Sequence, residues 1–311
     1  MSDGNPRPAR LAFFYLLLAV SFWAGNTVIG KSIVDTIPPF SLSFWRWALA
    51  CVVLAPFAIP IVVREREFYR EHWKLITLLA FFSITIYNTF QYWSMQWITA
   101  TKVGIISASL PVFIFMLSWL MGVEKIGSKK VAGLFFSLSG VALVIFAAGG
   151  LQSGVLSALS PGDGLILTSI VVFAVYSVYL KRLPNTFSVS GFLFVNIVLG
   201  LIGILPFYLF DVMTGKSDWP LSTQTVSVLA YVAIFPSIVS GILWLKGVRL
   251  GGPALGGIAY NFIPVIASLL AVTFLGEEFT VIHLLGIVLV LFGVNFERIT
   301  TWFTRSAQAP Q

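Results

Sequence analysis

Ten stretches of this sequence are apolar over unusual lengths: roughly residues 11–30, 39–63, 73–97, 102–122, 129–148, 164–181, 187–210, 223–246, 253–275 and 280–298. A helix rises about 1.5 Å per residue, so about 20 apolar residues cross the ~30 Å hydrocarbon layer of a bilayer. Inside that layer the backbone has no water to bond to, so each run must close its hydrogen bonds internally as a helix. Charged residues make up only 10% of the 311, against 58% hydrophobic, which is more apolar surface than a soluble chain of this length could bury. The chain predicts an all-α membrane protein with ten transmembrane helices.

Arg7 and Arg10 precede the first run as they would in a secretory signal, but the run continues through Trp23 and past Gly25 without a small-residue cleavage site. It reads as a retained first helix. The basic residues then set the topology. Segments on the side of the amino terminus carry Arg7, Arg10, Arg64, Arg66, Arg70, Lys74, Lys125, Lys129, Lys130, Lys181, Arg182, Lys246, Arg249, Arg298 and Arg305, fifteen in all. The opposite segments carry three, Lys31, Lys102 and Lys216. By the positive-inside rule both termini are expected in the cytoplasm of a cell whose inner (plasma) membrane holds the chain. The same dispersal explains the net charge of +7 without a nucleic-acid partner.

Certain residue types repeat at a fixed interval. Sliding the chain by 153 positions places Gly104 on Gly257, Pro111 on Pro264, Glu124 on Glu277, Gly133 on Gly286 and Gly140 on Gly293. A weaker match at offset 150 pairs Ala24 with Ala174, Val28 with Val178 and Lys31 with Lys181. The expected organisation is a tail at 1–10, a five-helix unit at 11–148, an outer linker at 149–163, a second unit at 164–298 and a tail at 299–311. Because five is odd, the second unit enters the membrane from the opposite side. The result is two inverted five-helix repeats around a central cavity, an arrangement characteristic of secondary transporters.

A Gly, a mid-helix Pro, a helix-ending Glu and two Gly seven apart, present twice in a ten-helix chain, resemble the EamA-type branch of the drug/metabolite transporter superfamily. The resemblance covers Leu11 to about Arg298, and the aromatic-rich sequence is most similar to the YddG-like amino-acid exporters. It implies a basket of helices 1–4 and 6–9 around the cavity, with helices 5 and 10 peripheral. It also implies export of small metabolites, amino acids and aromatic ones among them. Broad drug efflux and import of another polar metabolite are the alternatives.

Candidate site residues follow from the polar and aromatic strips at helical spacing. Proline lacks an N–H, so Pro111 and Pro264 are expected to kink or gate their helices and to free the carbonyls of Ser107 and Tyr260. Ser107, Tyr260 and Asn261 are placed on the cavity with them. The third span adds Asn88, Gln91 and Tyr92, the first Trp23 and Asn26, the sixth Tyr176, and the eighth Ser237, Ser240 and Trp244. Amides and hydroxyls suit a polar or zwitterionic small-molecule substrate, and rings suit its apolar part. Arg46, a base well inside a span, is the candidate carboxylate partner or a structural cation able to snorkel.

The acids all fall in tails, loops or span ends, so no mid-span proton carrier is evident. Glu124 and Glu277 are expected to favour the start of the helix that follows each, with Ser128 and Thr280 as N-caps. Cys51 alone makes neither a disulfide nor a cysteine metal cage, and no cofactor or metal is expected. With two His near span ends and no clustered nucleophile and base, an intramembrane enzyme is not expected. The Gly133/Gly140 and Gly286/Gly293 faces suggest close helix packing, in a monomer or across a homodimer.

Overall fold

A computed structural model of the chain describes residues 6–122, 127–147, 160–180, 182–184 and 186–307. Its helices are α1 (Pro6–Ile33), α2 (Pro39–Arg64), α3 (Trp73–Ser94), α4 (Ala100–Leu120), α5 (Ser128–Ala147), α6 (Pro161–Leu180), α7 (Val189–Met213), α8 (Thr223–Val248), α9 (Ile258–Leu275) and α10 (Val281–Ala307). Eight are long and apolar enough to cross a membrane, while α5 and α10 carry shorter apolar stretches, Val131–Ile145 and Val281–Glu297. Glu124 and most of the expected linker lie outside the described residues. Helical backbone continues from α8 towards α9 through Ser240–Tyr260. That segment must double back, because the Trp244 and Tyr260 rings are 6.2 Å apart, whereas sixteen residues of straight helix would separate them by about 24 Å.

Local chemistry sets the helix ends. Pro39 opens α2 where its missing N–H is no loss. Thr99 Oγ1 accepts from Lys102 N–H at the start of α4, and Ser222 Oγ accepts from Thr225 N–H at the start of α8. Gly276, at φ 65°, ends α9 in the left-handed conformation.

The helix pairings obey a pseudo-two-fold axis. α1 packs on α8 and α9, and α6 packs correspondingly on α3 and α4; α2 meets α7, α4 meets α9 and α5 meets α10 across the axis. Backbone irregularities repeat too: π turns at Phe81–Ile86 and Phe235–Val239, and helix breaks at residues 108–109 and 261–262. Carboxylates at the end of one helix hold the amino end of its symmetry mate. Asp211 Oδ2, near the end of α7, accepts from Ser41 N–H (2.9 Å) in the first turn of α2, and Glu65 Oε1, after α2, accepts from Ser188 N–H (2.9 Å) before α7. Burial and the hydrogen bond to Glu65 push the Tyr69 hydroxyl above its ordinary pKa, which keeps it a donor to that carboxylate. Glu277 does the same for α4, accepting from Ala100 N–H (2.6 Å) and Thr101 N–H (2.9 Å). The carboxylate expected at the start of the following helix thus binds the first amides of α4 directly. Thr280 stands at the N-cap of α10, where its carbonyl accepts from Leu284 N–H and its own N–H donates to the His283 Nδ1 three residues on. The α5 N-cap position falls on Gly127, whose carbonyl accepts from Val131, one residue before Ser128.

The paired glycine faces meet each other within the chain. A Cβ on Gly293 would lie 2.4 Å from Ser137 N and 2.5 Å from Gly133 O, and one on Gly140 would lie 2.9 Å from Gly286 O. The α5–α10 contact thus fills the surface that the sequence left open for a homodimer. Gly293→Ala is expected to lower stability by about 1–3 kcal/mol through overpacking, read as a fall in melting temperature. Gly164→Ala, inside α6 with nothing within 4 Å of the added Cβ, should not lower it.

The two ends of the bundle are packed differently. At the distal end, opposite the start of α1, the largest apolar core joins Ile33, Tyr92, Ile106, Val144, Ile166, Val232 and Val290 from seven helices, with a small separate group of Val28, Ala100 and Ala271 beside it. At the proximal end the buried residues split into separate groups, one around Leu16 and Ala259, the other around Leu79 and Phe192. Residues 100–110 of α4 are all buried, whereas in the matching stretch of α9 Ile258 is 42% and Phe262 39% exposed. The distal half of α4 packs against α9, and among the described residues the proximal halves make no comparable contact.

Candidate functional site

Arg46 lies two turns into α2 and is 3% exposed, so its cation does not snorkel. Its Nε donates to Ser237 Oγ (2.8 Å), and its Nη1 donates to Asn88 Oδ1 (3.1 Å) and to the Tyr92 hydroxyl (2.9 Å). Tyr92 in turn donates to Asn26 Oδ1 at 2.6 Å. Helices α1, α2, α3 and α8 therefore meet on one guanidinium. The π turns orient its acceptors. Asn88 Nδ2 donates to the Ser83 carbonyl (2.7 Å) and Ser237 Oγ to the Val232 carbonyl (2.7 Å), each five residues back, where a π turn leaves a backbone acceptor facing the side chain.

Every partner of Arg46 is neutral. The one ion pair among the described residues is Lys102–Asp163, on other helices. Arg46 also stacks near Trp47, 4.7 Å from guanidinium carbon to ring centroid. Nη2 has no acceptor among the described residues. A buried guanidinium without an anion is costly, and a carboxylate oriented across its free edge would offset that cost with charge-assisted hydrogen bonds.

Two aromatic groups flank this centre. Trp23, Trp244 and Tyr260 form a triad with centroid separations of 5.2, 6.2 and 6.5 Å, and Trp23 Nε1 donates to the Pro236 carbonyl (3.1 Å) at the second π turn. The other group is Tyr87, Phe173 and Tyr176, with successive centroids 4.4 and 5.0 Å apart. Tyr87, Tyr176 and Tyr260 are half-buried, each keeping part of its surface accessible.

Of the residues singled out from the sequence, the structure joins Asn26, Arg46, Asn88 and Tyr92 in one network and Trp23, Trp244 and Tyr260 in one aromatic group. Ser240 is excluded from both: it is fully buried and its hydroxyl donates to the Phe235 carbonyl. Ser237 makes the contact with Arg46 instead. Gln91 is buried beside Tyr92 but takes no part in the Arg46 network. Tyr87 and Phe173 were not evident in the sequence, because rings on apolar spans look like lipid-facing or core residues. Pro111 and Pro264 do not kink continuous helices. They sit in the first turns of new helical segments, after breaks in which Ser109 N–H bonds Ile106 and Phe262 N–H bonds Ala259.

Residues 10–146 and 160–296 each match the EamA-like transporter family. Over 287 residues the chain is 28% identical to the uncharacterized transporter YetK of Bacillus subtilis, covering 91% of this chain and 85% of that one. An uncharacterized transporter of Archaeoglobus fulgidus is 24% identical over 290 residues, with 90% and 95% covered. A thiamine-repressible mitochondrial transport protein of Saccharomyces cerevisiae is 25% identical over 205 residues, with 63% and 55% covered. A crystal structure with a TM-score of 0.62 and 21% identity, covering 97% of this chain and 99% of its own, has the same fold.

Proposed function

The chain belongs to the EamA-like transporter family, and from that premise we propose that it exports small carboxylate-bearing metabolites, amino acids and aromatic ones among them, by alternating access. It is a multi-pass membrane transporter and not an enzyme. The observation that carries the substrate class is Arg46, a buried cation bonded only to neutral groups, with its Nη2 edge unclaimed. A substrate carboxylate supplies the missing charge. The Trp23–Trp244–Tyr260 and Tyr87–Phe173–Tyr176 groups supply apolar faces for its side chain.

The excess of basic residues on the proximal segments favours the cytoplasm for that end. The loosely packed proximal end then faces the cytosol, and the larger distal core closes the outside. This is the state that loads a substrate for export. An affinity of ~1 mM, about 4 kcal/mol, is sufficient for a site that must also release its cargo.

The test is release of preloaded labelled amino acids from proteoliposomes. Aromatic amino acids should leave several-fold faster than from protein-free vesicles, and Asn261→Ala should slow release without preventing insertion. Equal rates with and without protein across all the common amino acids would remove the amino-acid assignment and favour a drug or another polar metabolite as cargo.

A further inference from the structure

The paired breaks in α4 and α9 gather oxygen atoms that the Arg46 centre does not use. Thr101, Ser107 and Ser268 are 0%, 6% and 3% exposed, and their hydroxyls have no hydrogen-bond partner among the described residues; the same is true of Asn261 Oδ1. Buried polar atoms are nearly always satisfied; α4 and α9 carry five such orphans, Ser118 near the proximal end of α4 and the other four on the stretch from Thr101 to Ser107 and from Asn261 to Ser268, which marks a place where something polar belongs.

Register brings them together. α4 and α9 run antiparallel in direct contact, because Glu277 beyond the end of α9 holds the first amides of α4. A Cβ on Gly104 would lie 2.9 Å from Ala267 Cβ and 3.7 Å from Pro264 Cα. One turn from that contact towards the break, Ser107 comes level with the Asn261–Pro264 turn; one turn the other way, Thr101 comes level with Ser268. Thr101, Gly104 and Ser107 follow at i, i+3 and i+6, and Asn261, Pro264 and Ser268 at i, i+3 and i+7, so each set lies towards the partner helix.

The backbone adds acceptors. Pro111 and Pro264 have no N–H, so the Ser107 and Tyr260 carbonyls lack their α-helical donor. Beyond the breaks the regular helical ladder resumes, Phe113 N–H bonding Ser109 and Ile266 N–H bonding Phe262. The first segments of α4 and α9 thus end here from opposite sides of the bundle, each presenting its electronegative terminus. Carbonyls and hydroxyls at helix interruptions are the chemistry with which membrane transporters hold monovalent cations. Neither helix carries a carboxylate of its own, and Glu277 meets the pair at the Ala100 and Thr101 amides, away from the breaks. A divalent ion, which commonly takes charged oxygens, is therefore a poor fit, and without a titratable group the place cannot carry a proton.

We propose that the α4–α9 crossing binds a small monovalent cation, sodium, with the Ser107 and Asn261 side chains and the Ser107 and Tyr260 carbonyls as ligands. The site rests on the transporter reading only for its use, coupling export or import to a sodium gradient. Its existence is tested without any substrate. Purified full-length protein is assayed for binding of radioactive sodium, and its melting temperature is compared in sodium chloride and choline chloride at equal ionic strength.

Saturable binding, displaced by unlabelled sodium and not by choline, is expected, together with a higher melting temperature in sodium. Ser107→Ala and Asn261→Ala should each weaken binding about tenfold or more. Ser118→Ala and Ser137→Ala, which remove buried orphan hydroxyls elsewhere, should leave it unchanged. No saturable binding by folded wild-type protein, equal melting in the two salts, or equal binding by all four variants would overturn the site and leave water as its occupant. Amino-acid release without sodium binding would remove the cation site alone. Sodium binding without amino-acid release would remove the substrate assignment alone.

Discussion

Arg46→Met is expected to reduce transport about a hundredfold while leaving the purified protein at least as stable as the wild type. Transport falls because the substrate carboxylate loses its charged partner, an interaction of about 3 kcal/mol in a site shielded from water, or two orders of magnitude. Stability does not fall because the wild-type guanidinium is buried among neutral groups, and exchanging such a charge for an apolar side chain of similar length relieves its desolvation. Tyr92 keeps its bond to Asn26 and Ser237 its bond to Val232, so Asn88 Oδ1 is the one acceptor left without its donor. Arg46→Lys keeps the charge but loses the planar fork, and should recover only part of the rate. Thermal melting and counterflow on the same preparations separate the outcomes. A variant that melts well below the wild type, yet transports normally per folded molecule, would make Arg46 a structural cation and remove the carboxylate site.

The spans, and the placing of Asn88 and Tyr92 on one inward strip of α3, were legible because each rests on spacing within one helix, and the duplication because residue types recur 153 positions apart; that the two side chains meet Arg46 was not. Asn88 and Tyr92 are four apart and share a face by helical geometry alone. The choice between Ser237 and Ser240 was beyond the sequence for a definite reason. A regular helix drawn through α8 puts both serines on one face, whereas the π turn at Phe235–Val239 inserts an extra residue and leaves Ser237 on Arg46 and Ser240 on the Phe235 carbonyl. Nothing in FPSIV announces that turn. Glu277 illustrates a second limit, since its partners on α4 are 176 and 177 residues away in the chain, while sequence reasoning favours the helix that follows. The glycine faces illustrate a third. Two Gly seven apart say that a helix packs closely, but only the fold says that α5 and α10 choose each other.

Lys102→Met is expected to open the distal end. Lys102 Nζ lies 2.7 Å from Asp163 Oδ1, with side-chain exposures of 8% and 0%. Asp163 Oδ2 accepts from Ser160 N–H and Oγ–H. Oδ1 takes no aligned hydrogen bond, so the contact is held by charge. Breaking a buried pair by removing one partner costs about 3–5 kcal/mol, because the other charge stays behind in a dry place. A distal-open state gives Asp163 water, so the variant should favour that state by two to three orders of magnitude. Val103, beside Lys102 and fully buried, reports the change once replaced by cysteine in a Cys51→Ala background. In intact cells an impermeant maleimide should leave Val103→Cys unlabelled while Lys102 is present and label it when Lys102→Met is added. Replacing both partners, Lys102→Met with Asp163→Leu, should restore protection, because no orphan charge remains. Equal labelling with and without Lys102 would deny the pair any part in closure. The repeat explains why the bias runs one way: the positions that match Lys102 and Asp163 in the other half are Leu255 and Phe13. The matching place at the proximal end is therefore apolar, and this pair, whose loss penalises the distally closed form, has no counterpart at those two positions.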